Sequence, residues 1–283
     1  MTKFIFLGEY DNQGYLNIIN KDRTDNSDIH ENITEDFLNE ASKNLPNGKS
    51  IINIHPEWIK KSDINISEAC QISLTYINEG AGYKNGLGYY VYDLQSPPTR
   101  FADIENIYII FPNVSKTGSG GSMSPGDTVQ IPYNITTTNE INNIKYMETA
   151  NYTFPKGVGV GFVCFANQWK GNGKSWAYLK VNHGMYSSDP YLNPENKMEL
   201  RHHAINYVSK IDPTKIVYGF EDLRRDNYSD NDFNDLLFYI TPTPRSSIEQ
   251  SSVNSEDSNI YSGFILCEDI LHKQGDFDFN DLI

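Results

Sequence analysis

The sequence predicts an all-β protein, built as a two-sheet sandwich or jelly-roll-like fold with one or two short helices near the N-terminus. Two observations lead to this prediction. About ten short strand-like segments are separated by turn-forming residues, and CQISLTYIN among them alternates apolar and polar residues with the period of two that a half-buried strand requires. The chain also contains 19 tyrosines and 14 phenylalanines, which together with threonine, isoleucine and valine favour strands.

The N-terminal part predicts one strand and one helix. The apolar run KFIFLG, at residues 3–8, is typical of a short strand. Residues 35–44 predict an amphipathic helix, because Thr34 can cap the N-terminus and the apolar residues recur on one face. Pro46 and Gly48 follow, and both residue types end helices.

Strand patterns dominate the rest of the chain. Residues 70–78, CQISLTYIN, place Ile72, Leu74 and Tyr76 on one face and polar residues on the other. Similar segments follow in the order LGYYVYD, ENIYIIF, DTVQIPY, VGVGFVCFA, WAYLKV, KIVYGF, DLLFYI and IYSGFILC. So many strands with so little helix favour two packed sheets over an α/β enzyme fold.

Composition divides the chain into three parts. Residues 1–65 are interpreted as a strand and helix extension packed on the main domain. Residues 66–240 are interpreted as the β-sandwich domain, which carries a first acidic motif. Residues 241–283 contain the Pro/Ser-rich connector TPTPRSSIEQSSVNSEDSN and a second acidic segment. One main domain with two flanking segments is therefore expected.

The net charge of −14 restricts the classes of partner. A chain this acidic repels the phosphate backbone of nucleic acids and suits the binding of cations. No apolar run approaches the roughly 20 residues of a membrane span, so membrane insertion is not expected. The first apolar run is too short for a signal peptide. The export route is therefore undetermined, although an extracellular, cell-surface or virion-surface location is favoured.

One acidic motif occurs twice. The pair at 221–222, Glu-Asp, precedes DNDFNDL at residues 230–236, and a second Glu-Asp pair at 268–269 precedes DFDFNDL at residues 276–282. Repetition within one chain indicates that this polar cluster is a unit. Burying so many carboxylates among Phe and Leu costs free energy unless a cation compensates their charge.

The chemistry of the motif favours calcium. Its Asp-x-Asp-x-Asn core resembles the start of an EF-hand loop, but the glycine at position 6 and the glutamate at position 12 of such a loop are missing. Because a flat strand separates alternate residues by about 7 Å, the segment must curl around the ion. An all-oxygen ligand set disfavours zinc and copper. The predicted ligands are Glu221, Asp222, Asp230, Asp232, Asn234 and Asp235 in the first copy and Glu268, Asp269, Asp276, Asp278, Asn280 and Asp281 in the second.

Two other interpretations of the motif remain open. In one, the acids are turn residues whose charge is neutralised by the arginine pair at 224–225 and by Lys273. In the other, Glu221, Asp222 or Asp232 serves as the acid or base of a glycan hydrolase. No Ser/His or Cys/His arrangement accompanies the motif, so catalysis is not the preferred interpretation.

Two further stretches carry candidate ligand-binding residues. Residues 78–93, NEGAGYKNGLGYYVYD, hold four glycines between two strands, more than a hairpin needs. Residues 191–205, YLNPENKMELRHHAI, combine amides, acids and two histidines. The candidates are Glu79, Tyr83, Asn85, Asn193 and His202. A purely architectural role is the alternative for both stretches.

These segments together resemble a known family. EGAGYKNGLGYYVYD, GFED with SDNDFNDLLF, and CEDI with GDFDFNDL look like the bacterial LruC-type domain and related domains of unknown function. The resemblance begins at GEYDNQGYLNII and covers nearly the whole chain. It implies a β-rich fold, cation binding and a secreted or surface-attached protein, and it leaves the activity undefined.

The predicted function is a calcium-binding interaction or adhesion module that binds a surface glycan or a protein partner. One alternative is the hydrolase. The other is a structural subunit of a larger particle, in which the C-terminal segment adds an edge strand to a neighbouring copy and so supports an oligomer. If the natural chain ends at Ile283, the second acidic copy is expected to bind calcium more weakly, because the backbone after Asp281 is free to fray; if the natural chain is longer, a second strong site is expected.

Overall fold

Two β-sheets and two short helices make up the computed structural model, which describes residues 2–141, 143–170, 184–227 and 229–254. Within these ranges the chain forms thirteen strands, and both α-helices lie near the N-terminus. The prediction of an all-β, two-sheet protein with short N-terminal helices is confirmed. The predicted strands WAYLKV and IYSGFILC and the entire second acidic copy lie outside the described residues.

The elements follow one another with short connections. The helices are α1 (Glu35–Asn44) and α2 (Ile51–Ile54). The strands are β1 (Lys3–Phe6), β2 (Ile64–Asn65), β3 (Gln71–Asn78), β4 (Gly86–Asp93), β5 (Asn106–Phe111), β6 (Thr128–Ile131), β7 (Asn134–Ile141), β8 (Ile144–Asn151), β9 (Val158–Ala166), β10 (Gly184–Ser187), β11 (Ala204–Val208), β12 (Ile216–Phe220) and β13 (Leu236–Thr243). Sequence reasoning missed β7 because most of its side chains face solvent, so it lacks the apolar alternation of a half-buried strand.

The larger sheet has the strand order β10-β9-β4-β5-β1-β8-β7, with β2 also paired to β9. The smaller sheet has the order β11-β12-β13-β3-β6. In the larger sheet, β1 lies between β5 and β8 and runs parallel to both. The N-terminal segment 1–65 therefore supplies an interior strand to this sheet. The three-part division of the chain stays a prediction.

The main core lies between the two sheets. Phe162 of β9 packs across the interface on Tyr218 of β12 and Phe238 of β13, with ring centroids 4.8 and 5.2 Å apart. All nine residues of β9 are buried, because other segments also cover the outer face of the larger sheet. Cys164 in this strand is a fully buried free thiol. The sandwich is thus a rigid support for the loops at its ends.

Helix α1 covers the outer face of the smaller sheet. It begins and ends where the sequence predicts: the Thr34 side chain accepts the backbone N–H of Phe37 at 3.3 Å. Phe37 packs on Tyr239 of β13 with ring centroids 5.2 Å apart. Gly48 follows with a φ of +67°, in the left-handed region that favours glycine. This turn brings residues 46–51 to the end of the sheet that carries the first acidic copy.

Candidate cation site

Three chain segments meet at one end of the smaller sheet. They are the β12–β13 loop at 221–235, the β3–β4 connection at 79–85, and the residues just before β11. The backbone N–H of Gly80 donates to the carbonyl oxygen of Asn234 at 3.1 Å, and that of Glu221 donates to the carbonyl oxygen of His203 at 2.9 Å. The glycine-rich stretch, the histidine loop and the first acidic copy are therefore neighbours in space.

Three acids of the β12–β13 loop converge; we call Glu221, Asp230 and Asp232 the three-acid group. One carboxylate oxygen from each lies within 4.8 Å of the others. Two oxygens that both ligate calcium at about 2.3–2.6 Å can be no more than about 5 Å apart. The separation therefore suits a shared calcium ion. Glu221 and Asp232 are buried, whereas Asp230 is exposed.

The loop curls as the spacing argument requires. Asn231 and Phe233 have φ values of 60° and 54°, so the backbone turns twice around Asp232. The left-handed region is unusual for a residue as bulky as phenylalanine. Phe233 is held there because its N–H donates to Oε1 of Glu221 at 2.8 Å and its ring is fully buried. Backbone strain of this kind is often concentrated at functional sites.

Hydrogen bonds orient the two buried ligand candidates. Oδ2 of Asp232 accepts the N–H of Gly48 at 2.7 Å and the side-chain amide of Asn234 at 2.8 Å. Oε2 of Glu221 accepts the hydroxyl of Ser229. Among the described residues, Oδ1 of Asp232 accepts only the N–H of Asn234, at 3.1 Å, so this oxygen and Oε2 of Glu221 each keep a lone pair for an ion. The amide nitrogen of Asn234 thus supports a neighbouring acid, while its predicted role as a direct ligand stays a prediction.

Asp222 and Asp235 form a second group in the same loop. The side-chain amide of Asn85 donates to Oδ2 of Asp222 at 2.7 Å, and the N–H of Asp222 donates to Oδ2 of Asp235 at 2.8 Å. Asn85 is fully buried, and its own oxygen accepts the N–H of Asn167 at 2.9 Å. Adjacent residues of an extended chain point to opposite sides, which explains why Glu221 joins one group and Asp222 the other.

The electrostatics show that the charge of this loop is poorly compensated. The pKa of Glu221 is raised to about 7, mainly because burial disfavours the charged form; the hydrogen bonds from Ser229 and Phe233 oppose this rise, and the charges of Asp232 and Asp230 contribute to it. Burial likewise raises the pKa of Asp235, and the charges of Asp222 and Glu221 act in the same direction. Without a cation, Glu221 and Asp235 therefore tend to keep their protons near neutral pH.

The arginine pair does not bond to these acids. Arg224 makes two hydrogen bonds to Asp226, at 2.6 and 2.9 Å. Arg225 donates from Nε to the side chain of Asn231 at 2.7 Å and from Nη1 to the carbonyl oxygens of His202 at 2.8 Å and Glu199 at 3.2 Å. The arginines therefore do not neutralise the three-acid group through direct contacts, although Arg225 is near enough for the charge of Glu221 to oppose the lowering of its pKa by burial.

The other predicted ligand-binding residues occupy different environments. Glu79 is buried close enough to Asp222 for its charge to raise the pKa of that residue. Tyr83 is half-buried on the same connection, and His202 is half-buried before β11. The amide of Asn193 bonds the backbone of Ser187 at 2.7 and 2.8 Å, which holds its own loop together. Glu79 and Asn85 thus lie by the acidic loop, and all six ligands predicted in the second copy lie outside the described residues.

Sequence reasoning overlooked a buried pair next to the site, Glu195 and His203. Oε1 of Glu195 lies 3.0 Å from Nε2 of His203, and both side chains have no exposed surface. The signal was present in the sequence, because the alternation that leads into β11 places His203 on the same face as Ile205 and Tyr207, which are both fully buried.

Comparison with known proteins gives one match. A family described as Domain of unknown function (DUF4114) matches residues 154–243, less than half of the chain, and this region contains the first acidic copy. No curated protein and no solved structure is significantly similar to the chain. No helix within the described residues is long and apolar enough to cross a membrane. The match agrees with a resemblance to domains of unknown function, while the LruC-type assignment stays a prediction.

Proposed function

We propose that this protein is a calcium-binding, β-rich interaction module and that its ion binds at the three-acid group. The observation that carries the proposal is the approach of three carboxylate oxygens to within 4.8 Å of one another in a loop whose arginines bond elsewhere. Removal of the ion would leave these carboxylates to repel each other. Calcium binding would therefore stabilise the end of the sandwich as well as neutralise it.

The exposure of Asp230 supports a role in binding a partner. Calcium takes six to eight oxygen ligands, and three carboxylates carry only six oxygens, some of which already accept hydrogen bonds from the protein. Waters or oxygens of a bound partner would complete the coordination on the solvent side. A surface glycan or a protein side chain can supply such oxygens, in agreement with the secreted or surface-attached protein that the LruC-type resemblance implies.

Calorimetric titration of the full chain with calcium chloride tests the metal site. Asp232→Asn should weaken the tight site at least tenfold, because it removes charge from the buried centre of the three-acid group. Asp226→Asn is the matched control, since Asp226 belongs to the same loop but pairs with Arg224. Asp278→Asn reports separately on the second acidic copy. Undiminished tight binding by the Asp232→Asn variant would contradict the proposed site.

Partner binding requires a separate experiment. The wild-type chain and the Asp232→Asn variant should be applied to an oligosaccharide array in calcium and in excess EDTA. An adhesion module should bind a subset of glycans only in calcium, and the variant should lose that binding. Shortened glycan products would instead favour the hydrolase. Glycan binding that is equal in calcium and in EDTA would show that partner binding does not depend on the ion.

A further inference from the structure

His203 contacts both Glu195 and the main chain of the proposed cation site. Its Nε2 lies 3.0 Å from Oε1 of Glu195, and its Nδ1 lies 3.2 Å from the carbonyl oxygen of Glu221. The ring of Tyr186 stacks on the imidazole, with centroids 4.0 Å apart and planes 11° apart. The orientation of the imidazole is thus determined by two hydrogen bonds and one stacked ring.

The same contacts determine the direction of the hydrogen bond to Glu221. A peptide oxygen only accepts, so Nδ1 of His203 must carry a proton. Nε2 then either donates to an ionised Glu195 or accepts from a neutral one. In both cases the N–H at Nδ1 points at the carbonyl oxygen of Glu221, and Glu195 keeps the ring in place.

Both peptide groups of Glu221 are consequently hydrogen-bonded to the same residue, His203. Its N–H donates to the carbonyl oxygen of His203 at 2.9 Å, and its carbonyl oxygen accepts from Nδ1 of His203. Its carboxylate is oriented by the N–H of Phe233 and the hydroxyl of Ser229. Backbone and side chain of this ligand candidate are therefore both fixed, whereas Asp230 is exposed.

Stability alone does not account for burying Glu195. Its Oε2 is buried and has no hydrogen-bond partner among the described residues. A buried carboxylate oxygen without a donor costs free energy. The other oxygen of this side chain, Oε1, is the one that orients His203.

We infer that Glu195 and His203 are positioning residues for the proposed cation site, holding the carboxylate of Glu221 in its ligating orientation before the ion arrives. This inference rests on the proposed function. Partners that orient a metal ligand typically change metal affinity by about 10- to 100-fold when they are removed. Neither residue touches the ion itself in this arrangement, so the effect passes through Glu221.

The test compares four variants of the full chain with the wild type. Glu195→Ala and Glu195→Leu remove the hydrogen bond, and the leucine also fills the space, which guards against simple collapse of the site. Glu195→Gln keeps a hydrogen bond to the imidazole. Asp127→Asn is the control, because Asp127 is another buried acid with hydrogen bonds of its own, to Tyr15 and Asn20. Calcium affinity is measured by calorimetry, and the number of waters on bound terbium by luminescence lifetimes in H₂O and D₂O.

Wild type and the Glu195→Gln variant should agree within about threefold in affinity, whereas the alanine and leucine variants should lose about 10- to 100-fold. The latter two should also gain about one water on terbium, because Glu221 no longer ligates firmly; loss of stability alone would not change the hydration of the ion. Equal affinity and hydration in the wild type and the leucine variant would overturn the inference while leaving the cation site intact. Failure of the wild type to bind either ion would overturn the proposed function as well.

Discussion

Two of the acidic groups in the described part of the chain differ in how the charge of their buried carboxylates is compensated. In the first, which we call the lysine-paired cluster, Nζ of Lys61 lies 3.3 Å from Asp63 and 2.6 Å from Asp189. The hydroxyl of Tyr92 also donates to Asp63 at 2.9 Å. In the second, the three-acid group, Glu221 and Asp232 accept hydrogen bonds from neutral donors, and the nearby arginines bond elsewhere.

The comparison separates a structural use of buried acids from a binding use. Burial raises the pKa of Asp63 to about 6, but Lys61 acts in the opposite direction and favours the charged form. The pKa of Glu221 rises to about 7, mainly through burial, and the charges of Asp232 and Asp230 are part of this rise. Lys61 contacts the acids of the lysine-paired cluster directly, whereas Arg225 acts on Glu221 only through its charge and forms its hydrogen bonds elsewhere. This weaker compensation supports an external cation at the three-acid group.

The largest change in the free energy of unfolding is expected at the lysine-paired cluster. Lys61→Met leaves two buried carboxylates without their cation and should lower the free energy of unfolding by about 3 kcal/mol. The loss should be the same in calcium and in EDTA, as measured by urea denaturation. Lys3→Met is the control, because the Lys3–Glu105 pair is exposed and should contribute well under about 1 kcal/mol. A loss that calcium reverses would show that the two groups are not independent.

The second-largest effect is expected in how the stabilisation by calcium, measured as the increase in the free energy of unfolding, changes with pH. In EDTA, folded Glu221 keeps a proton up to about pH 7, whereas in the unfolded chain it loses that proton near pH 4. The contribution of this bound proton to the free energy of unfolding is fully present below pH 4 and is lost as the pH rises through 7. Calcium displaces the proton, so the stabilisation by calcium should grow by about 1.5 kcal/mol between pH 5.5 and 7.

Thermal melting in calcium and in EDTA across this pH range measures the difference directly. Asp63→Asn should change both curves in parallel, because its contribution does not depend on calcium. A calcium effect that stays constant from pH 5.5 to 7 would argue against Glu221 as a ligand.

A smaller effect is expected where the glycine-rich stretch contacts the acidic loop. A Cβ on Gly80 would lie 2.5 Å from Oδ1 of Asn234 and 3.0 Å from its carbonyl oxygen. Gly80→Ala should therefore displace this part of the loop, with a loss of about 1–2 kcal/mol and weaker calcium binding. Gly82→Ala is the matched control, since nothing lies within 4 Å of its Cβ position. Identical calcium affinities for the two variants would show that the glycine-rich stretch connects two strands without influencing the cation site.

The smallest expected change in the free energy of unfolding comes from replacing one aspartate by asparagine, and its sign should differ between the lysine-paired cluster and the acidic loop. Asp235→Asn places a permanently neutral side chain where burial and the charges of Asp222 and Glu221 disfavour an ionised carboxyl group, and its remaining oxygen can still accept the N–H of Asp222. It should raise the stability of the calcium-free protein by about 1 kcal/mol. Asp63→Asn should instead lower stability at pH 8, because Lys61 loses a partner. Urea denaturation in EDTA at pH 8 measures the stability change of both variants. If both variants were stabilised, or both destabilised, the two groups would not differ in how their charge is compensated.

Much of the fold could be read from local pattern. The bounds of α1 follow from Thr34 and from the apolar face that includes Phe37 and Ala41, because caps and helical periodicity depend on near neighbours in the chain. Strands β3 and β9 were recognisable for the same reason. The β7–β8 hairpin was not, since a solvent-exposed hairpin carries no apolar alternation.

The sequence by itself determined the all-β class, the N-terminal helix and the repeated acidic motif. Only the tertiary structure decided that Asp230 and Asp232 join Glu221, that Asp222 joins Asn85 and Asp235, and that Arg224 and Arg225 bond elsewhere. The pairing of Glu195 with His203 belongs to the same class of result. Local periodicity depends on residues a few positions apart, whereas these contacts depend on how β3, β11, β12 and β13 pair, and that register is set by the burial of whole strands.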